Sequence, residues 1–246
     1  MNGIKSIFFT AIVAVLLLVS CMPAEQSFTQ EAYKSYIFTV NKATLKPEFE
    51  DTLYRVSNNP WDFGLETGDR AHILLHFYYD AYSGKKPDWE ITEVYEIIPT
   101  RTIVARDSFD TTGYDLPFTS RTPYEVSDHY LHADWIWENR LNVNMTFKAV
   151  PDSTQFAMVF DGVSGDTVRL NLMAKTMRPS GKKVSKLLTY DLNGIADMLT
   201  DTEKGKLKNY ETLKVRVNAQ YLDMKDSVFN YGFNVRNGEF VNPLHD

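Results

Sequence analysis

The chain has 246 residues with 26 Lys and Arg against 32 Asp and Glu, a formal net charge of −6. That mildly acidic balance has no basic block, which excludes a nucleic-acid binder of the usual electrostatic kind. One cysteine excludes an internal disulfide and any multi-thiolate metal site, and 15 Phe, 14 Tyr and 4 Trp favour strands over helices.

Residues 1–20 have the layout of an export signal, with Lys5 ahead of an apolar run from Ile7 to Val19 that only Thr10 interrupts. A run of that length rises roughly 20 Å as a helix, short of the roughly 30 Å bilayer core. It ends in Leu18-Val19-Ser20-Cys21, which resembles the lipobox of bacterial lipoproteins. The resemblance implies cleavage before Cys21 and acylation of Cys21, hence a membrane contact through a lipid anchor. Several acyl chains together anchor stably where one does not. Met22 follows the cysteine. An Asp there would signal inner-membrane retention in some bacteria, so Met22 favours the outer membrane, on either of its faces. Without Lys5, 25 Lys and Arg stand against 32 Asp and Glu, a net charge of −7 for residues 21–246.

Residues 21–34 read as a polar tether and 35–110 as a first β domain. Within it Ala71, Ile73, Leu75, Phe77 and Tyr79 alternate onto one strand face. His72, Leu74, His76 and Tyr78 take the other, a mixed face suited either to a ligand or to a second domain. The Thr-, Pro- and Ser-rich stretch at 111–124 lacks alternation and reads as a joint. Residues 125–246 read as a second β domain. Its longest alternation, 131–147, aligns Trp135 and Trp137 with Leu141, Val143, Met145 and Phe147, with Ile136 the apolar exception on the polar face and a turn expected around Glu138-Asn139-Arg140. Further alternating sets begin at Phe156, Val168, Val215 and Phe229, with turn signals between them. Only 191–209 tolerates helix. Strands at this spacing predict an all-β chain of barrels or sandwiches.

The stretches LETGDRAHILLHFYYD (65–80), WEITEVYEIIPTRTIVARD (89–107), FAMVFDGVSGDTVRLNLMAKT (156–176) and LTYDLNGI (188–195), together with the lipobox, resemble the NigD-like bacterial lipoproteins. The resemblance spans roughly residues 36–236. It implies an N-terminal OB-type barrel followed by a C-terminal antiparallel β-sandwich, and it supplies no catalytic residue.

Catalytic signals are weak throughout. On one strand, His72 and His76 lie about 13 Å apart, too far to share a zinc. His129, His132 and Asp134 meet only if a turn gathers them. The GVSGD segment lacks the glycine that a nucleophile elbow places two residues after its serine, and SGKK lacks the upstream P-loop glycine. Glu90 and Glu96 share strand parity while Glu93 opposes them, so they read as solvated charge. No metal or cofactor is expected.

Trp61 and Trp89 sit at loops where no periodicity demands burial, and are the candidate ligand contacts. The bacteria that carry NigD-like proteins O-glycosylate exported proteins at Asp-Ser/Thr pairs, which singles out Thr52, Thr111, Ser153, Thr167 and Ser227. The functional expectation is a non-enzymatic envelope protein that binds another protein or a glycan. The alternatives are a hydrolase with an unrecognised site and a passive scaffold or immunity-type protein. A pocket of convergent carboxylates would favour the hydrolase, a flat aromatic patch the binding module, and a featureless charged surface the scaffold.

Overall fold

A computed structural model describes residues 29–80, 88–126, 129–131, 134–207, 212–219, 233–236 and 239–241. The chain is all-β. Strands β1 (Thr29–Asn41), β2 (Thr44–Pro47), β3 (Tyr54–Arg55), β4 (Arg70–Asp80) and β5 (Trp89–Ile97) form a five-stranded sheet in the order β3-β2-β1-β4-β5. Its two ends meet. Val56 bridges Trp89 in parallel, Ser57 N–H donates to the Trp89 carbonyl at 2.9 Å, and the Asn58 amide pairs with both backbone groups of Ile91 at 2.8 and 2.9 Å. This connectivity is that of the small OB-type barrel.

Alternation builds the barrel core. Phe38, Val40, Leu45, Ala71, Ile73, Leu75 and Ile91 point inward and are buried. One end is plugged by a 3-10 turn, Pro60–Phe63, with fully buried Leu65 just beyond it. Asn59 caps the turn and Gly64 ends it in the left-handed conformation, φ 73°. Residues 29–34, expected within the tether, are instead the first half of β1, where each pairs with β4.

The crossing between the two units also lies elsewhere than expected. β6 (Thr100–Ala105) follows β5 after only Ile98 and Pro99, and leaves the barrel altogether. It enters the second sheet, parallel to β12 (Thr154–Ser164) on one side and to β14 (Pro179–Asp191) on the other. Segment 111–124 is therefore part of the second unit rather than a joint. Leu116 and Phe118 within it are buried in that unit's core, and β7 (Phe118–Arg121) pairs with β11 (Arg140–Ala149).

The second sheet also contains β10 (Asp134–Trp137), β13 (Thr167–Thr176), β15 (Thr212–Ala219), β16 (Phe233–Arg236) and β17 (Glu239–Val241). Its order is β10-β11-β14-β6-β12-β13-β15-β16-β17, and it curls into a nearly closed barrel. Most pairings are antiparallel; β6 with β12, β6 with β14 and β13 with β15 are parallel. A separate hairpin, β8 (Tyr124–Val126) with β9 (His129–Leu131), lies beside β1. Two short helices, Ile195–Met198 and Asp201–Leu207, occupy the helix-tolerant stretch.

The β10–β11 turn is two residues long, and both Glu138 and Asn139 have positive φ, 47° and 60°. That is the type I′ geometry, whose twist matches the flanking strands. A two-residue turn pairs odd positions with even ones, so Trp135 faces Asn142 and Ile136 faces Leu141. The face expected for Trp135 and Trp137 is thus corrected. Both tryptophans pack with Ile37, Ile98, Val126 and Leu187 between the two units, while Ile136, the apparent exception, packs on the core of the second unit.

Candidate binding face of the N-terminal barrel

The even positions of β4 line the outer surface of the barrel and run from exposed to buried. Tyr78 is 54% exposed and His76 and Leu74 are half-buried, as is His72, while Arg70 is 3% exposed. Across the register, β1 contributes Glu31 beside Tyr78, Tyr33 beside His76, Ser35 beside Leu74 and Ile37 beside His72. The mixed face read from the sequence is divided in this way: the second unit covers its inner end and leaves the outer end open.

The inner end is held by polar side chains. Arg70 Nε donates to Glu48 Oε1, and Arg70 Nη1 donates to Thr189 Oγ1 at 2.7 Å. Thr189 Oγ1 in turn donates to Asn142 Oδ1 at 2.8 Å, and the Trp135 indole N–H donates to Glu48 Oε2 at 3.1 Å. Glu48, Arg70, Asn142 and Thr189 are all buried. A buried ion pair requires this kind of satisfaction, because desolvation offsets most of its Coulomb attraction. Lys46 adds an ion pair to Glu138 at 2.7 Å, and Lys186 one to Glu96 at 3.8 Å.

His72 sits at the boundary of covered and open surface. Its Nε2 is 2.7 Å from Ser35 Oγ and its Nδ1 3.0 Å from Tyr124 Oη. Nucleophile, base and orienting group could be arranged in this way. Here, however, the orienting group is a phenol, and Ser35 is buried against the seam, so the trio closes the contact between units. Burial lowers the His72 pKa from 6.5 to about 4. The neighbouring titratable groups follow the same cause. Burial raises Glu96, with Lys186 opposing it, and burial together with Glu96 raises the Tyr124 phenol.

The unfolded chain therefore takes the His72 proton first, and the associated stability, complete above pH 6.5, is lost as the pH falls towards 4. His72→Gln is expected to flatten the fall in melting temperature across that window. A profile as steep as that of the unchanged chain would show that His72 does not titrate there.

The outer end is an aromatic surface. Tyr33, 59% exposed, stacks on His76 with ring centroids 4.5 Å apart and planes 19° from parallel. Glu31 Oε1 accepts from the Tyr33 hydroxyl at 3.0 Å and lies 2.9 Å from His76 Nε2. Tyr95, 49% exposed, contacts the His72 ring at 4.9 Å.

β5 borders this surface in a way that strand parity conceals. Two β-bulges interrupt its pairing with β4, so His76 faces Glu90, Leu74 faces Glu93 and His72 faces Glu96. Each bulge adds one residue to β5. The expectation that Glu93 opposes Glu90 and Glu96 is corrected: all three share the outer face, while Ile91 and Val94 serve the barrel core. The visible signal was a period of three, Glu90-Ile91-Thr92, Glu93-Val94-Tyr95, Glu96-Ile97-Ile98.

The residues singled out from the sequence are scattered. Trp61, 53% exposed, stands on the 3-10 turn at the barrel end. Trp89 packs on Tyr54 and Phe77, 5.1 Å from each ring, at the barrel closure. Thr52 and Thr111 are exposed. Ser153 donates to the Val150 carbonyl, and Thr167 lies within β13 bonded to Asp166. Cys21, His132 and Ser227 lie outside the described residues. Among the described residues no group of His, Cys, Asp and Glu is arranged to hold a metal ion, and no helix is long and apolar enough to cross a membrane.

Fold and face together define a two-unit β protein with an OB-type barrel, half covered by its own second sheet. No family model and no curated protein matches the chain. Among solved structures it is similar to a candidate lipoprotein from Bacteroides fragilis, at 12% identity over 87% of this chain and 99% of that one, with a TM-score of 0.51. It is also similar to a NigD-like immunity protein from Bacteroides caccae, at 13% identity over 87% and 100% of the two chains, TM-score 0.47. A third, the DUF1344 protein of unknown function from Bacteroides vulgatus, is 16% identical over 87% and 97%, TM-score 0.45. At these identities the likeness is one of fold.

Proposed function

We propose that this is a lipid-anchored protein of the bacterial cell envelope, held in the outer membrane through Cys21, and that it is a non-enzymatic binding module. The open aromatic end of the barrel face carries the reading. Three exposed tyrosines and a stacked histidine on one sheet surface form an aromatic patch of the kind a binder presents. OB-type barrels offer such a strand face to extended ligands. Trp61 serves as an accessory contact; Trp89 does not, because its ring is packed at the barrel closure.

The anchor is tested by Cys21→Ala, which is expected to abolish labelling with a fatty-acid probe and release the protein from membranes. Unchanged labelling would defeat this part of the reading. The face is tested by crosslinking in intact cells. Tyr33→Ala with Tyr78→Ala is expected to lose the partner while keeping the melting temperature within about 2 °C, since exposed substitutions change stability little. Equal capture by that double variant would place the binding surface elsewhere.

A further inference from the structure

We infer that the occupant of the open face is an extended polypeptide segment carrying lysine or arginine on alternate residues; this rests on the reading of that face as a binding surface. The aromatic patch supplies the contact area, and its border selects the charge. Glu90, Glu93 and Glu31 are exposed along the two sides of the Tyr33–His76–Tyr78 surface. Lys34 pairs with Leu75 in this stretch but lies on the opposite side of the sheet, where it donates to the Tyr54 hydroxyl and pairs with Glu50. Among the described residues, no Lys or Arg shares the outward-facing paired positions of that outer end. Tyrosine faces attract cations through the ring quadrupole, and carboxylates at the rim attract the same groups by charge.

Spacing agrees with an extended chain. Because of the bulges, the β5 carboxylates recur every third residue yet keep step with alternate residues of β4. That step is about 7 Å, the distance between same-side residues of an extended peptide. The inner end of the strip already holds one such group: Lys186, from the second unit, lies 3.8 Å from Glu96. A ligand continuing outward would place its cations on Glu93 and Glu90.

The test uses the full chain in neutral detergent and a short fluorescein-labelled peptide of alternating lysine and threonine, followed by anisotropy. A glutamate–threonine peptide and a neutral oligosaccharide are the comparison ligands. Saturable binding of the lysine peptide is expected, weakened by salt. Glu90→Gln with Glu93→Gln, which leaves the fold and the tyrosines intact, is expected to weaken it roughly tenfold. Tyr33→Ala with Tyr78→Ala is expected to weaken it as well. Absence of binding, or binding indifferent to the glutamine pair, overturns the inference. Oligosaccharide binding that needs the tyrosines but not the glutamates also overturns it while leaving the face as the binding surface. Peptide binding indifferent to both pairs of variants defeats the inference and the reading beneath it together.

Discussion

Arg70→Ala is expected to remove about 3–5 kcal/mol of unfolding free energy, the usual consequence of leaving one partner of a buried ion pair uncompensated. Urea denaturation reads this as a lower midpoint. Among the described residues Glu48 would keep only the Trp135 indole N–H as a side-chain donor, at Oε2, and Thr189 would lose the guanidinium that binds its hydroxyl. The loss falls on both units at once, since Arg70 belongs to the barrel and Thr189 to the second sheet. Replacing both charges by apolar residues, Glu48→Leu with Arg70→Met, is expected to recover part of the loss, the Trp135 indole N–H being left without its acceptor. One reason for the recovery is that Arg70 Nη2 is buried with no hydrogen-bond partner among the described residues, so the native pair already carries an unsatisfied group. A loss below about 1 kcal/mol for Arg70→Ala would mean that water reaches the pair.

Trp135→Ala is expected to cost about 3–5 kcal/mol, the range for emptying a buried aromatic site. The ring is 5% exposed and packs with Ile37 and Ile98 from the barrel and Leu187 from the second sheet. Trp135→Phe separates packing from hydrogen bonding. It keeps most of the apolar volume and loses the N–H to Glu48, for which about 1–3 kcal/mol is expected. If phenylalanine costs as much as alanine, the indole N–H matters more than the packing. The two alanine variants share Glu48, so Arg70→Ala with Trp135→Ala should cost less than the sum of the singles. Strict additivity would argue against a single connected network.

Much of the barrel was legible because alternation records burial. The β4 pattern from Ala71 to Phe77 predicted the core face, and its even positions predicted a surface of mixed character. What the alternation missed has local and distant causes. A two-residue turn inverts parity without a glycine to announce it, because Glu138 takes the positive φ and is held by Lys46 at 2.7 Å and Arg140 at 3.3 Å. The bulges of β5 turn a period of two into a period of three, which hid the row of glutamates. The buried polar network joins residues as far apart as Glu48, Asn142 and Thr189, and no window of sequence reveals such a pairing. Asn142, Asn144 and Thr146, the polar positions that alternate with Leu141, Val143, Met145 and Phe147, are buried as well.

The position of β6 bears on how the chain reaches this structure. It leaves the barrel at Pro99 and lies between β12 and β14, whose residues are synthesised roughly 50 and 90 positions later. Pairing over such separations is slow, because the loop must close before any contact rewards it. The barrel needs nothing beyond β5 to complete its own sheet, whereas β6 has both edges unpaired until β12 emerges and one edge unpaired until β14 does. Refolding from urea should accordingly separate into a faster phase that reports the barrel and a slower one that reports the tryptophans at the seam. In the interval an unpaired β6 is the segment most exposed to strand pairing with another chain.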